Sequence, residues 1–221
     1  MIRKSKIFHT DTYKNIASEI KRFLNKQNEF LSSSTINSPR AVGDAIENIL
    51  VENFGEILGN LSKGYSAQFA RRAMADIAFA DKDDFYYVVD VKTHRLDTQF
   101  SMPNLTSVER LSRFYEDDNN YFTILKTDYR AEDLKVIVDK VTFVPIEFLS
   151  WNCLTLGALG WGQIQIANAN MVTVLPGNKR KDWMLDMCAN LLDFYPKEIL
   201  KINERMNYFK KVKRYWQDKE G

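Results

Sequence analysis

The run 86–92, Tyr-Tyr-Val-Val-Asp-Val-Lys, constrains the fold more than any other part of the chain. Its aromatic and β-branched residues favour a buried strand. Side chains alternate between the two faces of a strand, so Asp90 and Lys92 lie on the same face. Ionised groups are costly to bury unless they are paired or bind a metal. A fold that buries this strand must therefore supply partners for both charges.

A second carboxylate precedes this run. Strand-forming residues begin near position 73 and include Asp76, and the acidic turn 81–84 separates them from the run that carries Asp90. Two such runs joined by a short turn predict a β-hairpin. Adjacent strands would bring Asp76 close to Asp90 and Lys92, so the sequence predicts two carboxylates and one amine in a largely apolar setting.

Two neighbouring carboxylates predict a site for a hard divalent cation, and Mg²⁺ is the expected ion. Asp76, Asp90 and the carbonyl oxygen of Val91 are the predicted ligands, and Lys92 would orient an attacking water or stabilise developing negative charge. Glu47, on a predicted helix, would be an extra ligand or a general base. The arrangement is typical of a metal-dependent phosphodiesterase. The alternative is a buried Asp–Lys ion pair that only stabilises the sheet.

The overall composition excludes several other classes of protein. The chain has 221 residues, which favours one domain, and its net charge of +2 excludes a polycation that binds nucleic acid through overall charge. Cys153 and Cys188 have no CxxC spacing, so a zinc site is not expected and both are predicted to be reduced. No apolar stretch could cross a bilayer, and the first residues lack the apolar segment of a secretion signal. We therefore expect a cytoplasmic protein without a membrane partner.

Hydrophobic periodicity predicts an α/β fold with a central mixed sheet flanked by helices. The core, with the predicted cation site, would span about 40–150, and 151–221 would form a C-terminal, partly helical part. The predicted helices are 11–31, 40–59, 105–116, 179–194 and, after Pro196, 197–217. The predicted strands are one near 73 and the segments 85–92, 121–126 and 134–144, with a polar turn at 127–133 and loop or short strand at 146–149 and 158–174.

The charged residues belong to a wider pattern. Ala75-Asp76-Ile77, followed after thirteen residues by Asp90-Val91-Lys92-Thr93, resembles the signature of PD-(D/E)xK nucleases. The supporting segments are Gly43-Asp44-Ala45-Ile46-Glu47, Pro103-Asn104-Leu105, Gln163-Ile164-Gln165 and 177–183. Together they resemble type II restriction endonucleases of the EcoRV/HincII-like, blunt-cutting branch over roughly 40–195. Ala75 stands where the signature has proline, a departure that many members of the superfamily share.

This resemblance implies a restriction-endonuclease-like fold and Mg²⁺-dependent hydrolysis of double-stranded DNA that leaves 5′-phosphates. It also implies a homodimer that cuts both strands, with a blunt cut at a hexanucleotide as the expectation from the branch. A two-fold symmetric dimer matches a short palindromic site. The first two predicted helices are the expected dimer contact.

Two polar segments could read base edges, and a basic cluster could bind phosphate. The segment after the catalytic strand offers Thr93, His94, Arg95, Thr98, Gln99, Ser101 and Asn104, and the segment 157–170 offers Gln163, Gln165, Asn168 and Asn170. Lys179, Arg180 and Lys181 would contact backbone phosphate at a helix start, with Arg71, Arg72 and the basic residues of 201–214 as weaker candidates. Solvated loops and internally bonded strand amides are the alternatives.

Two other functions fit the same pattern. One is a repair or junction nuclease of the same superfamily, which would recognise DNA structure instead of a sequence. The other is a DNA-binding protein that keeps the fold without the chemistry. His94 could assist a proton transfer or touch phosphate, or it could simply form a hydrogen bond at the end of its strand.

Overall fold

The computed structural model describes residues 4–27, 36–65, 76–132 and 135–219. The chain divides into two compact units, residues 1–179 and residues 180–221. The helices are α1 (Lys6–His9), α2 (Thr12–Lys26), α3 (Pro39–Leu58), α4 (Val108–Phe114) and α5 (Arg180–Gln217). The strands are β1 (Ser62–Tyr65), β2 (Ile77–Asp81), β3 (Tyr86–Arg95), β4 (Asn104–Ser107), β5 (Asn120–Glu132), β6 (Lys135–Pro145), β7 (Leu154–Gly157) and β8 (Gln163–Ile166).

The first unit contains a five-stranded sheet in the order β1-β2-β3-β5-β6. Its strands pair antiparallel, except that β3 and β5 run parallel. A parallel pair needs a crossover, and the segment between β3 and β5, which contains β4 and α4, supplies it. A second, three-stranded sheet has the order β4-β8-β7. The predicted α/β architecture with a mixed central sheet and flanking helices is therefore confirmed.

The N-terminal helices cover one face of the five-stranded sheet. The Phe8 ring of α1 lies 5.7 Å from that of Tyr87 on β3 and 5.8 Å from that of Phe143 on β6. Phe54 of α3 packs 6.0 Å from Phe79 on β2. Alternation along β3 puts Tyr87 on this face and Asp90, Lys92 and His94 on the other. The charged residues of β3 therefore lie on the sheet face opposite this aromatic core.

Several predicted elements differ in the structure. The predicted helix 105–116 begins only at Val108, because Asn104–Ser107 pairs with β8 and forms a strand. The predicted turn 127–133 is largely strand, since β5 continues to Glu132 and pairs with β6 throughout. The two C-terminal helices are one helix with Pro196 inside it. The predicted strand residues 73–75, and the end of the first helix at 28–31, lie outside the described residues.

Among the residues that the structure describes, no helix combines the length and the apolar character that crossing a bilayer requires.

Candidate active site

The antiparallel pairing of β2 with β3 brings Asp76 close to the strand that carries Asp90 and Lys92. Ile77 pairs with Val89, and the backbone N–H of Asp76 donates to the carbonyl oxygen of Val89 at 3.0 Å. The Asp76 carboxylate then accepts a hydrogen bond from the N–H of Val91, with Oδ2 2.7 Å from the nitrogen. Asp76 is thus held at the backbone of the residue that separates Asp90 from Lys92.

Asp90 and Lys92 form a direct ion pair. Lys92 Nζ lies 2.7 Å from Asp90 Oδ1, and the two side chains are 22% and 7% exposed respectively. The other carboxylate oxygen, Asp90 Oδ2, is buried and has no hydrogen-bond partner. A buried polar oxygen without a partner carries a desolvation cost of a few kcal/mol, so such atoms are uncommon unless they serve another purpose. Lys92 therefore satisfies only half of the Asp90 carboxylate.

Glu47 belongs to the same electrostatic cluster. Burial raises the pKa of Glu47, the negative charge of Asp76 raises it further, and the positive charge of Lys92 opposes both effects. Burial also raises the pKa of Asp90 to about 7, against the lowering influence of Lys92, while Asp76 and Glu47 add to the rise. Asp76 and Lys92 thus influence the protonation of both Glu47 and Asp90.

The fit of this cluster to Mg²⁺ rests on the free oxygen of Asp90. Hard cations bind carboxylate and carbonyl oxygens. Asp90 and Val91 on β3 offer such oxygens, and so does Asp76, which directly precedes β2 and bonds to the N–H of Val91. Within the described ranges, no three His, Cys, Asp or Glu side chains form a ready-made metal-binding group. The predicted donor set of two carboxylates and one backbone carbonyl, with water completing the shell, stays a prediction.

A close approach between α3 and β3 positions Glu47. A Cβ atom placed on Gly43 would lie 2.6 Å from Thr93 Oγ1, which is much closer than real Cβ contacts. Only glycine lets the helix pass this near to the strand without displacement. Glu47 lies one helical turn further along α3. Gly43 therefore sets the distance between the helix that carries Glu47 and the strand that carries Asp90.

The three residues directly after Lys92 make contacts within the protein. Thr93 faces Gly43, and His94 is 3% exposed. Arg95 bonds to Asp97 through Nε and to the carbonyl oxygen of Ile36 through Nη1. These contacts occupy side chains that the sequence offered for DNA contact, and their role at DNA stays a prediction.

The remaining predicted DNA contacts differ in exposure. Gln99, Asn104, Lys179 and Lys181 are exposed, whereas Ser101, Gln163, Gln165, Asn168 and Arg180 are half-buried. Gln165 Nε2 donates to Asn104 Oδ1 at 2.6 Å, which joins the two polar segments through paired strands β4 and β8. The two candidate base-reading segments therefore form one surface of the first unit. Arg71 and Arg72, which the sequence also suggests for phosphate contact, lie outside the described residues.

Asn170 links this surface to β3. Its Nδ2 donates to the carbonyl oxygens of Thr98 and Gln99, at 3.1 and 3.2 Å, so its Oδ1 must be the atom that faces His94. His94 Nε2 lies 2.9 Å from that oxygen and therefore carries a proton. This arrangement makes His94 a hydrogen-bond donor to the loop, in agreement with the structural alternative for this residue.

A second Lys–Asp pair was not predicted. Lys126 and Asp128 on β5 lie beside Lys92 and His94 in the parallel register, and they form a buried ion pair with each other. Burial lowers the pKa of Lys126, the bond to Asp128 opposes that effect, and Lys140 adds to it. A cavity of about 90 Å³ adjoins the pair. The K-x-D spacing of Lys126 and Asp128 could have predicted this pair, because Asp90 and Lys92 have the same spacing in the reverse order.

The chain matches no protein-family model and no curated protein sequence. A functional assignment therefore depends on the geometry of the site and on the residues that form it.

Proposed function

We propose that this chain is a cytoplasmic type II restriction endonuclease with a restriction-endonuclease-like fold. It would hydrolyse double-stranded DNA at a short palindromic sequence, depend on Mg²⁺ and leave 5′-phosphates. The active form would be a homodimer, because a two-fold symmetric enzyme presents one active site to each strand of a palindrome.

One observation carries the proposal. Asp90 is buried on the central strand, is bound to Lys92 through one oxygen and keeps the other oxygen without a partner. Asp76, which directly precedes the adjacent strand β2, bonds to the N–H of the next residue, Val91. An ion pair that only stabilised the sheet would leave this oxygen as an unrelieved cost, because burying half of a carboxylate opposes folding. A bound cation would remove that cost. The metal-binding interpretation thus accounts for an atom that the structural alternative leaves unexplained.

Each residue of the cluster has a distinct part in the proposed reaction. Asp76 and Asp90, with the Val91 carbonyl, would hold Mg²⁺, which supplies polarisation of the scissile phosphate and a more acidic bound water. Lys92 would donate a hydrogen bond to the attacking water or to the charge that develops on phosphate. Glu47, whose pKa is raised mainly by burial, is the stronger base for it and would accept a proton near the site.

The DNA contacts in this proposal fall into two groups. Gln99 and Asn104 are exposed and would read base edges together with Gln163 and Gln165. Lys179 and Lys181 are exposed and would contact phosphates irrespective of sequence. The weaker candidates for DNA contact are Thr93, His94, Arg95, Ser101, Asn168 and Arg180.

The test compares two carboxylates that have the same kind of lysine partner. Asp90→Asn and Asp128→Asn each remove the negative charge from a buried Lys–Asp pair on neighbouring parallel strands. We expect Asp90→Asn to reduce Mg²⁺-dependent cleavage of DNA by at least about a hundredfold. We expect Asp128→Asn to cleave at the wild-type rate at a temperature where circular dichroism shows it folded.

The substrate should be a DNA of known sequence, digested with Mg²⁺ and sequenced at the new ends. Discrete fragments with one shared sequence at every end are expected from wild type. Cuts that follow junctions or flaps would contradict the restriction assignment and favour a structure-specific nuclease. Binding of Asp90→Asn to the target in Ca²⁺, without cleavage, would separate lost chemistry from lost DNA contact.

A further inference from the structure

The helix α5 carries a continuous stripe of exposed apolar side chains. Seven of them are between 49% and 73% exposed. They are Leu185, Leu192, Ile199, Ile202, Met206, Phe209 and Trp216. Single exposed apolar residues are ordinary, but a stripe of this length on one helix is typical of an interaction surface.

The stripe follows the heptad repeat of a coiled coil. Alternating steps of three and four residues lead along the helix through positions 185, 188, 192, 195, 199, 202, 206, 209, 213 and 216. Nine of these ten positions are apolar, with Lys213 as the exception and exposed Cys188 among the nine. Apolar a and d positions sustained over four heptads predict a helix that pairs with another helix in a left-handed supercoil.

The second half of α5 depends most on such a partner. Every residue from 199 to 217 is exposed, except that Val212 is half-buried. An isolated helix of about this length is marginal in water, because most helix stability in proteins comes from burial of an apolar face. The helical state of this segment is therefore explained by a partner that covers the stripe.

Charge distribution identifies the partner and its direction. Residues 180–198 contain three basic and four acidic residues, whereas 199–217 contain six basic and one acidic. Two copies aligned in parallel would place the two basic halves side by side, and like charges at this spacing repel. Antiparallel copies would place each basic half beside a weakly acidic half. The charge pattern thus favours a second copy of this helix running in the opposite direction.

We propose that α5, and not the first two helices expected from the sequence, is the self-association surface, and that it forms an antiparallel two-helix coiled coil with α5 of a second copy. A two-fold axis between Leu200 and Lys201 would place Ile199 opposite Ile202 of the partner subunit. The same axis would place Leu192 opposite Phe209 of the partner subunit. The contact is isologous and closed, as expected of a C2 dimer. This proposal does not depend on the nuclease assignment, since it would hold for a chain without catalytic activity.

The first test compares two neighbouring residues of α5. Ile199 lies on the stripe and Leu200 lies beside it, with exposures of 58% and 65%. Wild type should be a dimer in size-exclusion chromatography with light scattering at micromolar concentration and without DNA. Ile199→Lys should raise the dimer dissociation constant at least tenfold, and Leu200→Lys should leave it within about threefold.

The second test determines direction by disulfide formation. In a Cys188→Ser background, Leu192→Cys and Phe209→Cys chains are mixed and oxidised, then separated without reductant. Crosslinks should form in the mixture and not within either variant alone. A crosslinked Leu192→Cys homodimer would overturn the antiparallel arrangement. A monomeric wild type, equal effects of the two lysine variants, or a dimer seen only with DNA would overturn the proposal, whatever the result of the cleavage tests.

Discussion

Asp90 is a carboxyl group whose protonation should control metal binding. Burial raises its pKa to about 7, so it is largely protonated at pH 6 and largely ionised at pH 8. A cation must displace that proton, and affinity should therefore rise with pH over this interval. We expect Ca²⁺ to bind about tenfold more tightly at pH 8 than at pH 6, as measured by isothermal titration calorimetry. Equal affinity at the two pH values would contradict a role for this carboxylate.

The raised pKa of Asp90 also affects the stability of the metal-free protein. The folded state holds the Asp90 proton up to about pH 7, while the unfolded chain releases it near its ordinary value. Between these values the folded state binds more protons, so the contribution of Asp90 to stability decreases as pH rises. Added Ca²⁺ should accordingly raise the melting temperature more at pH 8 than at pH 6. Asp90→Asn should abolish that difference.

His94 offers a test between a catalytic role and a positioning role. Its Nε2 proton is donated to Asn170, and a glutamine amide can make the same donation. We expect His94→Gln to retain cleavage within about threefold, and His94→Leu to lose about 1 kcal/mol of unfolding free energy with the hydrogen bond. The measurements are cleavage kinetics and urea denaturation. A large loss of cleavage rate in both variants, with stability unchanged, would instead indicate a proton-transfer role.

At the scale of elements, the packing of α3 on β3 predicts the effect of Gly43→Ala on stability. The effect should change sign between wild type and a Thr93→Ala variant. Gly43→Ala favours the helix by about 1 kcal/mol but places its Cβ against Thr93 Oγ1, at an expected cost of about 1–3 kcal/mol. In wild type we expect a net loss of stability. In a Thr93→Ala background the obstructing oxygen is gone, so the same change should stabilise. Urea denaturation of the four proteins measures the coupling, and additive effects would contradict the close contact.

The sequence predicted a feature correctly where neighbouring residues determine it, and less well where residues far along the chain do. Period-two alternation around Asp90 and Lys92 predicted their shared face, because that spacing alone determines it. The strand Asn104–Ser107 was missed, since pairing with β8 stabilises it and β8 lies far along the sequence. Pro196 predicts a helix boundary, yet α5 continues through it despite the lost hydrogen bond.

The predictions of site residues also depended on whether the contacts are local or long-range in the sequence. Asp76, Asp90 and Lys92 could be grouped from a hairpin pattern, and the structure brings them together with Glu47. Asn170 could be proposed only as one amide among several, because its hydrogen bonds to Thr98, Gln99 and His94 join segments about seventy residues apart. The burial of Lys126 and Asp128 likewise depends on tertiary packing, which cannot be predicted from the two residue types.

At the scale of the whole molecule, the proposed dimer and the proposed chemistry combine in a prediction about partial activity. If each subunit cuts one strand, a dimer with one inactive subunit should nick its site and stop. Heterodimers of wild type and Asp90→Asn, isolated with two different affinity tags, should convert a one-site supercoiled plasmid to open circles. Wild-type homodimers should yield linear DNA on the same plasmid, as resolved by agarose electrophoresis.

The heterodimer experiment tests how the active sites share the two DNA strands, whereas the Ile199→Lys variant tests self-association through α5. The two proposals can therefore fail separately. Ile199→Lys changes only the exposed stripe of α5, so it should weaken self-association at least tenfold while leaving Asp90 and Lys92 bonded as in wild type. Linear product from the heterodimer would show that one active site can cut both strands, which contradicts the one-site-per-strand arrangement even if the enzyme is Mg²⁺-dependent. Open circles from the heterodimer and linear DNA from wild type would support a symmetric dimer acting on a symmetric site.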